Sequence, residues 1–140
     1  MARYWVKKLP ALLGEMQKNM FDAAKQRLIA EWKEFAADTG DPEVINRWNA
    51  VWKTFQTSGH LAAMRTLAEL QIQASTYIPP SFIASTYFTA GERERGFAWL
   101  ERAYNERDDY LEGFRTDPAV APFRSDPRYA DLLRRMGLPQ

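Results

Sequence analysis

His60 is the one histidine in 140 residues, and it follows Gly59 where an apolar helical pattern begins. A lone imidazole works as a general base only beside an orienting carboxylate and a nucleophile, and the sequence names neither. The chain has no cysteine, which excludes thiol nucleophiles, disulfides and cysteine-based zinc or iron–sulfur sites, and its single histidine excludes multi-histidine metal sites. Glu106, Asp108, Asp109 and Glu112 gather enough oxygen for a hard cation. They lack the D-x-[DN]-x-[DN]-G spacing of a calcium loop, so the stretch reads as a solvated helix end. Neither a G-x-S-x-G elbow nor a phosphate-cradling glycine loop is present. These residues imply a noncatalytic chain, with no cofactor and no metal.

The balance of 19 basic against 18 acidic side chains gives a net charge of +1, which provides no field for nucleic acid or an anionic membrane. The signs interleave, as in Glu92–Arg93–Glu94–Arg95, which is the pattern of solvated helix faces. At 46% hydrophobic residues the chain can bury a core. No apolar run is long enough to cross a bilayer, and Lys7 and Lys8 stand where a signal peptide would need its apolar stretch. A cytoplasmic protein is expected.

The elements that must position any site are helices. Leu13, Met16, Met20, Ala24, Leu28, Trp32 and Phe35 recur every three or four residues, giving one long helix from about Pro10 to Asp38. At ~1.5 Å per residue it would reach roughly 40 Å. Asp41-Pro42 then restarts the chain with an N-cap and a proline at the first helical position. Val44, Trp48, Val51, Trp52 and Phe55 form one stripe, which reads as core more readily than as a stacking platform. Leu61, Met64, Leu67, Ala68 and Ile72 mark a further helix, and shorter ones follow around Phe82–Phe88 and Phe97–Tyr104. Asp126-Pro127 opens a last helix bearing Tyr129, Leu132, Leu133 and Met136. No stretch sustains the period-two alternation of a sheet. Residues 1–40 thus form an N-terminal arm and long helix, and residues 41–140 a set of helix pairs with a C-terminal capping helix, continuous with it. Antiparallel neighbours are predicted at 43–57 with 60–75, and at 81–90 with 93–107.

Gly59 and Gly91 stand 32 residues apart, each parting an aromatic-ending helix from an amphipathic one. Ala84, Tyr87, Gly91, Gly96, Leu100 and Ala103 follow the order of small, aromatic and turn positions in a helix pair whose small residues allow close approach, with Tyr87 filling the wedge. The run continues through Phe97–Tyr104, Glu106-Arg107-Asp108, Asp117-Pro118, Pro122–Tyr129 and Leu132–Pro139. It resembles the tetratricopeptide-repeat (TPR) family, in particular the C-terminal repeat segment of bacterial multidomain regulators. Those chains often carry a Ser/Thr protein kinase or a winged-helix DNA-binding domain upstream. The resemblance implies an all-α, TPR-like short α-solenoid of antiparallel helix pairs, and binding to another protein or peptide. Asp108 occupies the place where a repeat usually has its closing proline, and Trp52 and Met64 sit where small residues are expected.

Phe88 is rotated by about 100° from Tyr87 on a helix, toward the side that lines the concave face of such repeats. Ser81, Ser85 and Thr89 share that side, so Ser81, Ser85, Phe88 and Thr89 are the candidate partner-binding residues. The long first helix carries two apolar ridges, and Met16, Met20 and Phe21 are candidates for self-association. A structural homodimer through that helix is therefore the alternative function, and a small helical enzyme or ligand binder is a third.

Overall fold

The computed structural model describes residues 40–140 and, ahead of them, the helical positions 30, 31, 34, 37 and 38. From residue 42 onward the elements are α1 Pro42–Ser58, α2 His60–Gln73, α3 Pro80–Thr89 and α4 Arg93–Asn105, followed by 3-10 turns at Leu111–Arg115 and Ala121–Phe123, and by α5 Pro127–Arg135. No strand occurs among the described residues, so the class is all-α as the periodicity indicated. Most of the long helix expected over residues 10–38 lies outside the described residues. The chain divides into two compact units, Met1–Leu70 and Gln71–Gln140.

In the first unit, Asp41 caps α1 by accepting the Glu43 N–H at 2.9 Å, and Pro42 supplies the first helical position. Trp48 and Val51 are buried, and the half-buried Trp52 stacks on the half-buried Phe55 at 5.8 Å. Along α2, Ala63, Met64, Leu67 and Ala68 are buried at helical spacing, while Leu61 remains exposed. The expected pairing of 43–57 with 60–75 does not form as a side-by-side hairpin. One residue, Gly59, separates the two helices. An antiparallel helix hairpin takes a loop of about two to five residues to reverse the chain.

In the second unit the close helix pair is α3 with α4, joined through Ala90, Gly91 and Glu92. Gly91 adopts φ +76° and ends α3 with two returning bonds, its own N–H to the Phe88 carbonyl and the Glu92 N–H to the Tyr87 carbonyl, each 2.9 Å. Gly96 permits the close approach. A Cβ built on it would lie 2.6–2.7 Å from three ring carbons of Phe88. The wedge between the helices is therefore filled by Phe88, whereas the sequence pattern assigned it to Tyr87. Tyr87 is buried as well, and the Arg95 guanidinium lies 5.7 Å from its ring centre. The core then runs from Ala84, Phe88, Phe97, Leu100 and Ala103 to Leu111, Phe114, Val120, Leu132 and Leu133, so the last helix closes the same interior that α3 and α4 open.

Candidate interaction surface

The side of α3 assigned to partner binding is occupied from within. Phe88 is 3% exposed, meeting Phe97 edge-on at 5.1 Å and Phe123 at 5.0 Å. Its role is core packing, because the segment after α4 folds over the face that an open groove would have presented. Ser85 donates its hydroxyl to Asp117 Oδ2 at 2.6 Å, and the other Asp117 oxygen accepts the Ala119 N–H at 2.9 Å. Thr89 turns its hydroxyl back to the Ser85 carbonyl at 2.9 Å, one helical turn away. Ser81 is buried, and its hydroxyl makes no hydrogen bond among the described groups. The structure thus brings Ser85 and Phe88 together against one chain segment, Asp117–Phe123, with Ser81 buried and Thr89 half-buried. Met16, Met20 and Phe21 lie outside the described residues.

Two sets of carboxylate contacts organise the unit. Asp108 accepts the Ser81 N–H at 2.8 Å through one oxygen and the Tyr110 N–H at 2.8 Å through the other. α3 begins after Pro79, which has no side chain able to cap it, so a carboxylate 27 residues away serves the positive end of the helix. A proline at position 108 could accept neither bond. α4 ends instead on Arg107 at φ +56°, with the Arg107 N–H returning to Tyr104 and the Asp108 N–H returning to Ala103 at 2.9 Å. That pattern normally recruits glycine.

The second carboxylate system joins α4 to α5. Arg128 reaches both Glu94 oxygens, at 2.8 and 3.0 Å, while also holding Asp126, and its guanidinium lies 4.4 Å from the Phe97 ring centre. Asp126 additionally caps α5 by accepting the Arg128 N–H at 3.0 Å. Hydrogen bonding from the Arg128 side chain, then from its N–H, lowers the Asp126 carboxyl from its ordinary 3.8 to about 2. Two turns further along both helices, Arg135 pairs with Glu101 and stacks at 4.9 Å from the Tyr104 ring centre. Isolated surface ion pairs contribute little, but a bidentate, ring-stacked pair repeated at a two-turn interval fixes the register of one helix on another.

Exposed rings stand at the end of the unit where α3 begins and α4 stops. Tyr77, in the loop before α3, is 75% exposed, and Tyr110 is 38% exposed with its ring 5.2 Å from Phe82. The Tyr77 hydroxyl is held above its ordinary pKa by desolvation and then by Asp108, Glu106 and Asp109, with Arg102 opposing. Elsewhere, an open depression of ≈750 Å³ is lined by Glu112, Arg115, Arg124 and Tyr129 among others. Arg124 is engaged there with the Arg115 carbonyl at 2.8 Å. Among the described residues no three His, Asp or Glu side chains converge as a metal site would require, and no helix is long and apolar enough to cross a membrane.

Comparison with protein-family models, with curated proteins and with solved structures finds no match for this chain.

Proposed function

We propose that this chain is a noncatalytic protein–protein interaction module whose second unit is built on a TPR-like helical register. The observation that supports the register is the ion-pair ladder. Glu94 with Arg128 and Glu101 with Arg135 each join residues 34 apart, the length of a tetratricopeptide repeat. Helix starts at His60, Arg93 and Pro127 keep nearly the same interval. In this reading α3 and α4 are one repeat and α5 is the second helix of the next, which closes the array with a polar outer side. Asp117 engages the Ser85 hydroxyl and Asp108 the Ser81 N–H, so in this reading recognition is the role of the unit's exposed end.

The test is photo-crosslinking of the full chain in a lysate of its source organism, followed by calorimetry with the purified captured protein. Saturable one-to-one binding supports the module. Capture of copies of this chain alone favours the homodimer reading through Met16, Met20 and Phe21. Capture of nothing above background refutes the proposal.

A further inference from the structure

We infer that the exposed aromatic end of the second unit, formed by Tyr77, Phe82 and Tyr110 with Glu106 and Asp109 beside them, docks a Lys- or Arg-bearing segment of a partner protein. The inference rests on the interaction-module reading and names the chemistry of what that module receives.

The first support is the exposure of the rings. A tyrosine 75% in water is the most exposed large apolar side chain described, and Tyr110, 38% exposed, sets its ring 5.2 Å from Phe82. Exposed Tyr, with its rigid ring and polar tip, is the residue type that dominates binding hot spots. The second support is charge. Asp109 is exposed and makes no ion pair among the described residues. Glu106 holds Arg102 at 2.7 Å on the helix surface, and Asp108 is spent on the Ser81 and Tyr110 N–H groups. Around the end of α4, Glu106, Asp108 and Asp109 stand against Arg102 and Arg107, a small excess of negative charge. A cation is attracted to an aromatic ring face, and the carboxylates steer it there.

The third support is rigidity. Asp108 ties the first turn of α3 to the residues after α4 through two bonds of 2.8 Å, so Phe82 and Tyr110 are held in one geometry before any partner arrives. Pre-organised aromatic anchors lose little entropy on binding. The occupant is therefore a basic segment with an apolar residue to set against the rings. An acidic one would meet like charge.

The test uses the full chain and three fluorescein-labelled synthetic peptides of equal length, alternating Lys–Leu, Gln–Leu and Glu–Leu, read by fluorescence polarisation. The Lys–Leu peptide is expected to bind at least about tenfold more tightly than the Glu–Leu peptide, with affinity falling as salt is raised. Tyr77→Ala and Asp109→Lys should each weaken the Lys–Leu peptide about tenfold or more, with melting temperature unchanged, since both side chains are exposed. Equal binding of all three peptides, preference for Glu–Leu, no binding, or indifference to both substitutions overturns the inference. A crosslinked partner that binds the Tyr77→Ala variant undiminished overturns this surface while leaving the module reading standing. If Lys–Leu binding behaves as expected but no protein is captured, the module reading falls and the surface remains.

Discussion

Replacing Gly96 by alanine tests the helix approach on which the second unit depends. The new Cβ would lie 2.6–2.7 Å from the Cδ1, Cε1 and Cζ atoms of Phe88, where carbon atoms prefer about 3.5–4.0 Å. The ring would have to retreat by roughly 1 Å. It cannot do so freely, because Phe97 stands edge-on at 5.1 Å and Phe123 at 5.0 Å on its flanks. Forcing a methyl group into a filled interior costs about 1–3 kcal/mol. Against that, alanine gains about 0.5–1 kcal/mol over glycine inside a helix. The clash outweighs the gain, leaving a net loss of up to about 2.5 kcal/mol, read as a lower urea midpoint by circular dichroism. Phe88→Leu removes the ring that obstructs, so in that background Gly96→Ala should become neutral or stabilising. The double-mutant cycle should then return a coupling of about 1–3 kcal/mol. Additive effects, or a midpoint that rises on Gly96→Ala alone, would refute the packing argument.

Arg107→Gly should raise the melting temperature relative to Arg107→Ala, because both remove the charge and only glycine relieves the left-handed φ of +56°; the difference should be about 1 kcal/mol, and equal melting would mean the backbone is unstrained. Arg128→Met should lower the melting temperature at neutral pH, where Arg128 keeps Asp126 near about 2 and Glu94 below its usual range. Because these carboxylates titrate lower folded than unfolded, their contribution is complete above about pH 5 and fades toward pH 2. The gap between variant and wild type should close over that interval, and a constant gap would contradict the assignment. Leu132→Ala removes a side chain 1% exposed at the centre of the last helix's contacts, and should cost ~2–5 kcal/mol with loss of the near-ultraviolet signal of the surrounding rings; unchanged melting would mean that α5 is not part of the core.

The local signals were legible and the long-range ones were not, for a physical reason visible at particular residues. Asp41-Pro42 and Asp126-Pro127 start helices because a carboxylate two residues before an N–H can reach it, and both do, at 2.9 and 3.0 Å. Gly59, Gly91 and Gly137 end helices with positive φ, as glycine in a stop position should. Arg107 ends α4 in the same way, and arginine carries no such local signature. Asp108 and Asp117 bond to residues 27 and 32 positions away, distances at which sequence proximity says nothing. Tyr87 and Phe88 were separated by helical phase, yet α3 buries Ile83, Ala84, Thr86, Tyr87 and Phe88, and phase cannot choose a face on a helix covered nearly all round. The ion-pair ladder was readable in part: Glu94 and Glu101 share one spacing with Arg128 and Arg135, though only the fold pairs them.

The proposed register also makes a demand on residues 114–123. A shift of 34 residues from α3 would place a helix there, and the chain makes two 3-10 turns instead. Pro118 and Pro122 account for the difference, since proline removes a helical N–H. The segment nevertheless delivers what such a helix would bury, with Phe114 and Val120 in the core and Phe123 against Phe88. It does so while lying across the polar side of α3, with Asp117 on Ser85. In a longer array of regular helices that side would stay open as a groove. Here the irregular segment closes it, and on the proposed reading recognition falls where the closure stops. That place is the end carrying Tyr77, Phe82 and Tyr110, where Asp108 has drawn the start of α3 and the finish of α4 together.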